Sequence, residues 1–170
     1  FAAGHVVGHA AEDDGGAALR IACDFDGVLA DDSAERVFQS EGLDGYQESE
    51  SALAEVPLDR GPMADFLEKI NRIQGIEDSK SVGDPSGYRR RVHVAVVTAR
   101  SAPAHERAIN SIRGWGLRVN DAFFLGGLPK GPMLEVLQPH IFFDDQRRHV
   151  EGAALSTPSV HIPFGAINRD

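Results

Sequence analysis

The chain of 170 residues is 42% hydrophobic and 25% charged, a composition typical of a globular protein with one domain and a substantial core. No apolar run approaches the roughly 20 residues that a membrane-spanning helix needs, so no membrane partner is expected. The net charge of −9 argues against a nucleic-acid polymer as partner, although one local cation is sufficient to hold a small anionic ligand.

The beginning of the chain gives little structural signal. Because the first residue is Phe1 rather than Met, we expect a fragment or a sequence that lacks its beginning. Residues 1–17 are small and polar without periodicity, which predicts a flexible N-terminal arm. Cys23, the single cysteine, lies in an apolar segment, which predicts a buried core residue and favours a reducing, cytoplasmic location.

Five short apolar segments without clear alternation predict strands that are covered on both faces, as in a parallel sheet. They cover residues 18–25, 92–97, 122–125, 140–145 and 159–163. Helical patterns lie between these strands and cover residues 32–40, 61–75, 101–116, 130–139 and 145–155. This alternation predicts an α/β fold with a doubly wound, Rossmann-like parallel sheet and helices on both faces.

The first two helices carry sequence signals for their ends. Asp32, followed by Glu35 three residues later, is a capping-box pattern that predicts the start of the first helix. Gly75 predicts the end of the second helix. The segment that follows, residues 75–91, is polar and rich in glycine and serine, which predicts a surface loop.

The predicted strands and one helix start carry residues that are able to bind a metal ion and a phosphate group. They are Asp24 and Asp26, then Thr98 with Ala99 and Arg100, then Lys130, and finally Asp144 with Asp145. Because the carboxyl ends of the strands of an open parallel sheet form its binding crevice, we expect these residues to meet there. Taken singly, each has an ordinary structural reading as a cap or a surface residue. His149 is a weaker additional candidate, and the other six histidines show no metal-ligand spacing.

These residue types suit phosphoryl transfer. The four aspartates are candidate ligands of Mg²⁺, which prefers hard oxygen donors. Lys130 and the Thr98 hydroxyl are candidates for binding phosphate oxygens, together with Ala99 and Arg100. Asp24 is the candidate nucleophile that forms an aspartyl-phosphate, and Asp26 is the candidate acid that protonates the leaving oxygen and later activates water.

The order D-x-D-G, then Thr, then Lys, then D-D resembles that of the haloacid dehalogenase (HAD) superfamily of phosphotransferases. A response-regulator receiver uses similar residues in a different order. From about Leu19 to Ile167, stretches such as "DFDGVLADDSAERVF", "VVTARSAPAHERAINSIRGWGL" and "FFLGGLPKGPMLEVLQPHIFFDDQRRHVEGA" resemble the C-terminal catalytic part of cytosolic 5'-nucleotidases of type I. That resemblance implies Mg²⁺-dependent dephosphorylation of nucleoside 5'-monophosphates, notably AMP.

The resemblance also implies roles for individual residues. Asp24 would be the nucleophile and Asp26 the acid and base, Thr98 and Lys130 would hold phosphate, and Asp144 would bind the metal with Asp145 beside it. Family members carry a substantial region before the first aspartate motif, whereas 23 residues precede Asp24 here. We therefore expect a shorter relative or a fragment.

The resemblance assigns residues 18–170 to a HAD-like catalytic domain, in which about residues 31–90 contain a small cap. Within this segment, Phe38 and Tyr46 are candidates for stacking on a base, although Phe38 on a helix is also a typical core residue. Two other functions stay open: a HAD phosphatase acting on another small phosphate ester such as a sugar phosphate, and a metal-binding domain without turnover. The oligomeric state is left open.

Overall fold

A computed structural model describes residues 3–8, 15–82 and 87–168, and it has a six-stranded sheet at its centre. The strands are β1 (His5–Val7), β2 (Leu19–Cys23), β3 (Val92–Thr98), β4 (Asp121–Phe124), β5 (Ile141–Asp144) and β6 (Ser159–His161). Their order across the sheet is β1-β6-β5-β2-β3-β4. Only β1 is antiparallel to its neighbour, so the predicted parallel α/β fold is confirmed.

Five helices accompany the sheet and cover both of its faces. They are α1 (Ser33–Ala52), α2 (Ala64–Ser81), α3 (His105–Gly114), α4 (Gly131–Leu137) and α5 (Arg147–Ala153). Because side chains alternate along a strand, Ile21 and Cys23 of β2 belong to the core shared with α2 and α3, whereas Ala22 packs in a second cluster with α4 and α5. In the described part of the chain, no helix is both long enough and apolar enough to cross a bilayer.

The second helix does not end where the sequence predicted. Gly75 was expected to end it, but α2 continues to Ser81, and part of the predicted surface loop is therefore helical. The buried carboxylate of Glu77 accepts hydrogen bonds from the backbone N–H groups of Arg91 and Val92, at 2.9 and 3.1 Å. These tertiary hydrogen bonds stabilise the last turns and offset the cost of about 1 kcal/mol for glycine inside a helix. Residues 83–86 lie outside the described residues.

The predicted start of the first helix is confirmed, because Asp32 lies at its N-cap position, but the capping-box hydrogen bond is not formed. The Asp32 side chain makes no capping hydrogen bond, because its carboxylate accepts the backbone N–H of Ala166 at 2.7 Å. Asp31 takes the local role instead and accepts hydrogen bonds from the N–H and hydroxyl groups of Ser33. Helix α1 is also longer than predicted and contains a kink at Gly42, whose φ of 72° is accessible to glycine.

The predicted flexible arm was wrong for residues 5–7, which form the edge strand β1. His5 aligns with His161 and Val7 with Ser159 in the antiparallel register. The partner strand lies more than 150 residues away in the sequence, so no local pattern indicates this pairing. Residues 1–2 and 9–14, which also belong to the predicted arm, lie outside the described residues.

The single thiol gives a simple test of this core. Cys23 is 1% exposed, as its predicted core position requires, and burial together with the nearby Asp24 carboxylate raises the pKa of its thiol to about 12. At pH 8 the folded protein should therefore hold about a thousandfold less thiolate than the unfolded chain, whose thiol has a pKa near 9. We expect a disulfide reagent such as dithionitrobenzoate to react with Cys23 only after denaturation. Rapid reaction in native buffer at pH 8 would contradict this placement.

Candidate active site

Three buried charged groups meet at the carboxyl ends of β2 and β5. The ammonium nitrogen Nζ of Lys130 lies 2.7 Å from Asp24 Oδ2 and 2.7 Å from Asp144 Oδ2. The parallel pairing of β2 with β5 continues past the strand, because the N–H of Asp24 donates to the Phe143 carbonyl at 2.8 Å. The sheet therefore brings together residues that are more than 100 positions apart in the sequence.

Lys130 reaches both carboxylates from the start of α4. It occupies the N-cap position of this helix, and Pro132 in the first turn favours a helix start there. The Lys130 side chain is 1% exposed, so its charge needs buried anionic partners. Asp24 and Asp144 supply them, and the predicted grouping of these three residues is present in the structure.

Burial and mutual charge set the protonation of this cluster. Burial raises the pKa of Asp24 to about 6, with further contributions from the Asp144 and Asp26 carboxylates against the opposing effect of Lys130. Burial alone would lower the pKa of Lys130, but Asp24 and Asp144 outweigh it and raise the value. Burial also acts against ionised Asp144, yet the Lys130 ammonium and the His149 side chain lower its pKa. Asp144 is therefore the carboxylate held most firmly in its charged form.

Asp145 adds a third acidic group to this cluster, and it forms no ion pair with a cation among the described residues. Burial, followed by the charges of Asp24 and Asp144, raises the pKa of Asp145 to about 9. Its carboxylate packs against Gly27, where any Cβ would overlap it, and it accepts no hydrogen bond from the residues described here. Its backbone carbonyl is fixed by hydrogen bonds from the side chains of His161 and Asn168, each at 2.9 Å.

The arrangement fits a divalent cation. One potential ligand atom from each of Asp24, Asp144 and His149 lies within 4.8 Å of the others. His149 lies in the first turn of α5, the helix that follows Asp144, and its Nδ1 is 3.3 Å from the Asp144 carboxylate. Asp145 lies beside this cluster, and its carboxylate has no hydrogen-bond or ion-pair partner among the described residues, so a bound dication would supply the missing charge. The sequence alone gives only a weak signal for His149, because one histidine five residues after an aspartate is not a metal-binding motif.

Asp26 turns away from this cluster. Its two carboxylate oxygens accept hydrogen bonds from Arg100, from Nε at 2.7 Å and from Nη2 at 2.6 Å. Asp26 was a predicted metal ligand, and it was expected to point the same way as Asp24 if the chain stays extended. The strand ends at Cys23, however, and the chain turns from Phe25, whose carbonyl accepts the N–H groups of Leu29 and Ala30. This turn directs Asp26 towards the end of β3 instead of towards Asp144.

Arg100 is fully engaged with protein groups. Besides Asp26, its Nη1 contacts Glu50 and donates to the Ala104 carbonyl at 2.9 Å, so four of the five guanidinium N–H groups are used. With its side chain 1% exposed, Arg100 has little to offer a substrate, which argues against the phosphate-binding role predicted for it.

Thr98 is the last residue of β3 and Ala99 follows it, and β3 pairs with β2, the strand that Asp24 directly follows. Thr98 is 1% exposed, and its hydroxyl oxygen accepts the N–H of Arg100 at 3.3 Å. Ala99 is exposed, and its carbonyl accepts the N–H of Gly127. Their role in phosphate binding stays a prediction.

The two aromatic candidates differ in their surroundings. Phe38 is 44% exposed and lines a cleft of about 790 Å³ together with Glu35, Asp145 and the arginines of α5. Tyr46 packs edge-on against Phe38 and lies near the Arg100 guanidinium, 5.8 Å from the ring centre. Phe38 is thus the aromatic side chain that a ligand in this cleft would meet.

Comparison with known proteins assigns the family. A sequence model of the 5'-nucleotidase family matches residues 1–169. The chain belongs to this family. The chain is 38% identical to human cytosolic 5'-nucleotidase 1B over 136 residues. The matched segment covers 79% of the chain and 22% of the human protein. The chain thus spans about a fifth of the length of that relative, and no solved structure matches it. The resemblance expected from the sequence is confirmed.

Gly27 offers a matched test of the site in this 5'-nucleotidase family member. Gly27 and Gly116 have the same φ of +69°, but an added Cβ meets the Asp145 carboxylate at Gly27 and nothing within 4 Å at Gly116. Gly116→Ala should therefore cost only the backbone strain of about 1 kcal/mol in the free energy of unfolding.

We expect Gly27→Ala to cost about 1–3 kcal/mol more than this, because it displaces a packed side chain. It should also weaken the binding of a divalent cation measured by calorimetry, whereas Gly116→Ala should leave that binding unchanged. Equal effects of the two substitutions would show that Asp145 does not pack against Gly27.

Proposed function

We propose that this protein is a Mg²⁺-dependent phosphomonoester hydrolase that dephosphorylates nucleoside 5'-monophosphates, with AMP as the first substrate to test. The observation that carries the proposal is the buried cluster of Asp24, Lys130 and Asp144 in a chain that belongs to the 5'-nucleotidase family. The name of the human relative supports a cytosolic location as part of the same proposal.

Asp24 is the nucleophile of the proposed first step. One of its carboxylate oxygens forms a bond to phosphorus while the bond between phosphorus and the nucleoside 5' oxygen breaks. The N–H of Phe25 donates to Asp24 Oδ1 at 2.7 Å, and Lys130 contacts Oδ2, so the carboxylate is held in a defined orientation before substrate binds. A pKa of about 6 leaves Asp24 largely ionised at neutral pH and therefore nucleophilic.

Asp26 is the proposed acid and base. The Asp26 carboxyl group, which is 21% exposed, takes up a proton from solvent and gives it to the departing 5' oxygen, and the resulting carboxylate then takes a proton from the water that hydrolyses the aspartyl-phosphate. Lys130 and Thr98 are proposed to bind the oxygens of the transferred phosphoryl group. Mg²⁺ held by Asp24 and Asp144, with Asp145 and His149 beside them, would neutralise charge on that group.

The cleft beside Asp145 is the proposed place of the nucleoside. Its volume of about 790 Å³ is sufficient for a nucleoside, and Asp145, which lies beside the acidic cluster, forms part of its lining. Phe38 supplies an aromatic surface for a base, while Glu35 and the side chains of α5 supply polar contacts for the sugar. A sugar phosphate would fill only part of this cleft, which favours a nucleotide over the second candidate.

The first prediction concerns the nucleophile. The protein should release inorganic phosphate from AMP in the presence of Mg²⁺ and lose this activity when EDTA removes the ion. Asp24→Asn should lower kcat at least about 10³-fold, because an amide is not a nucleophile at phosphorus.

The matched control is Asp65→Asn, which alters a carboxylate on α2 whose side chain is 80% exposed. This variant should keep the activity of the unaltered protein. Full activity of Asp24→Asn would refute the nucleophile assignment. A panel of sugar phosphates hydrolysed faster than any nucleotide would favour the second candidate, and no turnover of any ester would favour a metal-binding domain without catalysis.

The second prediction concerns the cleft. Phe38→Ala should raise KM for AMP by roughly 10-fold with little change in kcat, since a stacking contact worth about 1–1.5 kcal/mol would be lost. Leu43→Ala removes a side chain of similar exposure from the same helix without touching the cleft and should leave KM unchanged. An unaltered KM for Phe38→Ala in steady-state kinetics would place the base elsewhere.

A further inference from the structure

Four charged side chains from four parts of the chain form a continuous buried network behind Asp26. Arg100 binds Asp26 with two hydrogen bonds and contacts Glu50 through Nη1. The other oxygen of Glu50 accepts from Arg107 Nη1 at 2.7 Å. Arg107 in turn donates from Nε to the Val56 carbonyl at 2.9 Å. The network joins the end of β2, the end of β3, helix α1 and helix α3.

The network has no net charge, and the side chains at its centre are shielded from solvent. Two arginines face two carboxylates, and the side chains of Arg100 and Glu50 are each 1% exposed, whereas Asp26 is 21% exposed. Of Arg100, Glu50 and Asp26, only Asp26 is in contact with solvent. The Phe25 ring lies 5.0 Å from the guanidinium carbon of Arg100 and adds an apolar wall beside it.

Buried ion pairs of this kind contribute little net free energy to folding, because their desolvation opposes their mutual attraction. Removing four charges from water costs several kcal/mol per ion, and packed apolar residues often stabilise a core equally well. Bidentate guanidinium–carboxylate pairing does, however, fix the plane and direction of a carboxylate, which single contacts do not. The geometry is therefore better explained by orientation of Asp26 than by stability.

We propose that Arg100 is a positioning residue that aims the Asp26 carboxyl group at the leaving oxygen, and that Glu50, backed by Arg107, holds Arg100 in place. This inference rests on the proposed function. Asp26 takes up a proton from solvent at its exposed edge and gives it to the departing 5' oxygen. The carboxylate that remains is stabilised by the adjacent guanidinium, and the same pairing keeps it in place to take a proton from water. Loss of the network should therefore slow proton transfer rather than substrate binding.

The test compares two leaving groups on one nucleoside. AMP loses an alkoxide, which needs a proton, whereas its analogue with sulfur in place of the 5' bridging oxygen loses a thiolate, which needs a proton far less. Glu50→Gln and Arg100→Lys should lower kcat for AMP roughly 10²-fold, the size expected for a misplaced catalytic group, with KM changed less than about twofold. Their rates on the sulfur analogue should fall less than about threefold.

Glu77→Gln is the matched control, because it removes the charge of another buried glutamate that lies outside the network. If this variant is less stable, it should still act on the two substrates in the same ratio as the unaltered protein. Equal losses on both substrates for Glu50→Gln, or undiminished turnover of AMP, would overturn the positioning role. Absence of AMP hydrolysis by the unaltered protein would instead count against the proposed function.

If Arg100→Lys does not fold, Glu50→Gln decides the question alone, because glutamine keeps the shape of the side chain. Thermal unfolding of each variant identifies the folded ones before kinetics are measured. A folded Glu50→Gln protein with an unchanged ratio of AMP to sulfur-analogue turnover would show that the network only supports the fold.

Discussion

A buried ammonium held between two buried carboxylates is the interaction on which the candidate site depends. Lys130 lies 2.7 Å from both Asp24 and Asp144, and none of the three charges is tolerable in that place without the others. This requires β2 and β5 to be neighbours and α4 to begin where Lys130 reaches across both strand ends. The observed sheet order satisfies both conditions. The strand order of the sheet therefore determines whether the three charged residues of the site are able to meet.

The acidic groups of this site outnumber its cation, and that imbalance explains the type of ligand it suits. Asp145 lies beside Asp24 and Asp144 with a pKa of about 9, so it stays largely neutral unless a further positive charge arrives. A dication would supply that charge and, together with Lys130, present a locally positive surface to a phosphate group. The overall charge of −9 is therefore compatible with an anionic substrate.

Asp24 and Asp26 are two residues apart and belong to two different electrostatic environments. Asp24 contacts Lys130 and lies beside Asp144 and Asp145. Asp26 contacts Arg100, which in turn contacts Glu50 of α1. The separation arises because the strand ends before Asp24 and the chain turns at Gly27. In the proposed function, one side of the turn would face the phosphoryl group and the other the leaving group, which a single extended segment would not achieve.

The sequence by itself determined the class of the fold, five of the six strands and the three residues of the central cluster, because apolar periodicity and polar strand ends are local signals. Only the tertiary structure decided the partners of Arg100, the contact of His149 with Asp144 and the pairing of His5–Val7 with β6. It also decided that α2 passes Gly75, through hydrogen bonds to Glu77 from residues that follow a loop. Each of these depends on groups distant in sequence, and local propensity carries no information about which of them burial will bring together.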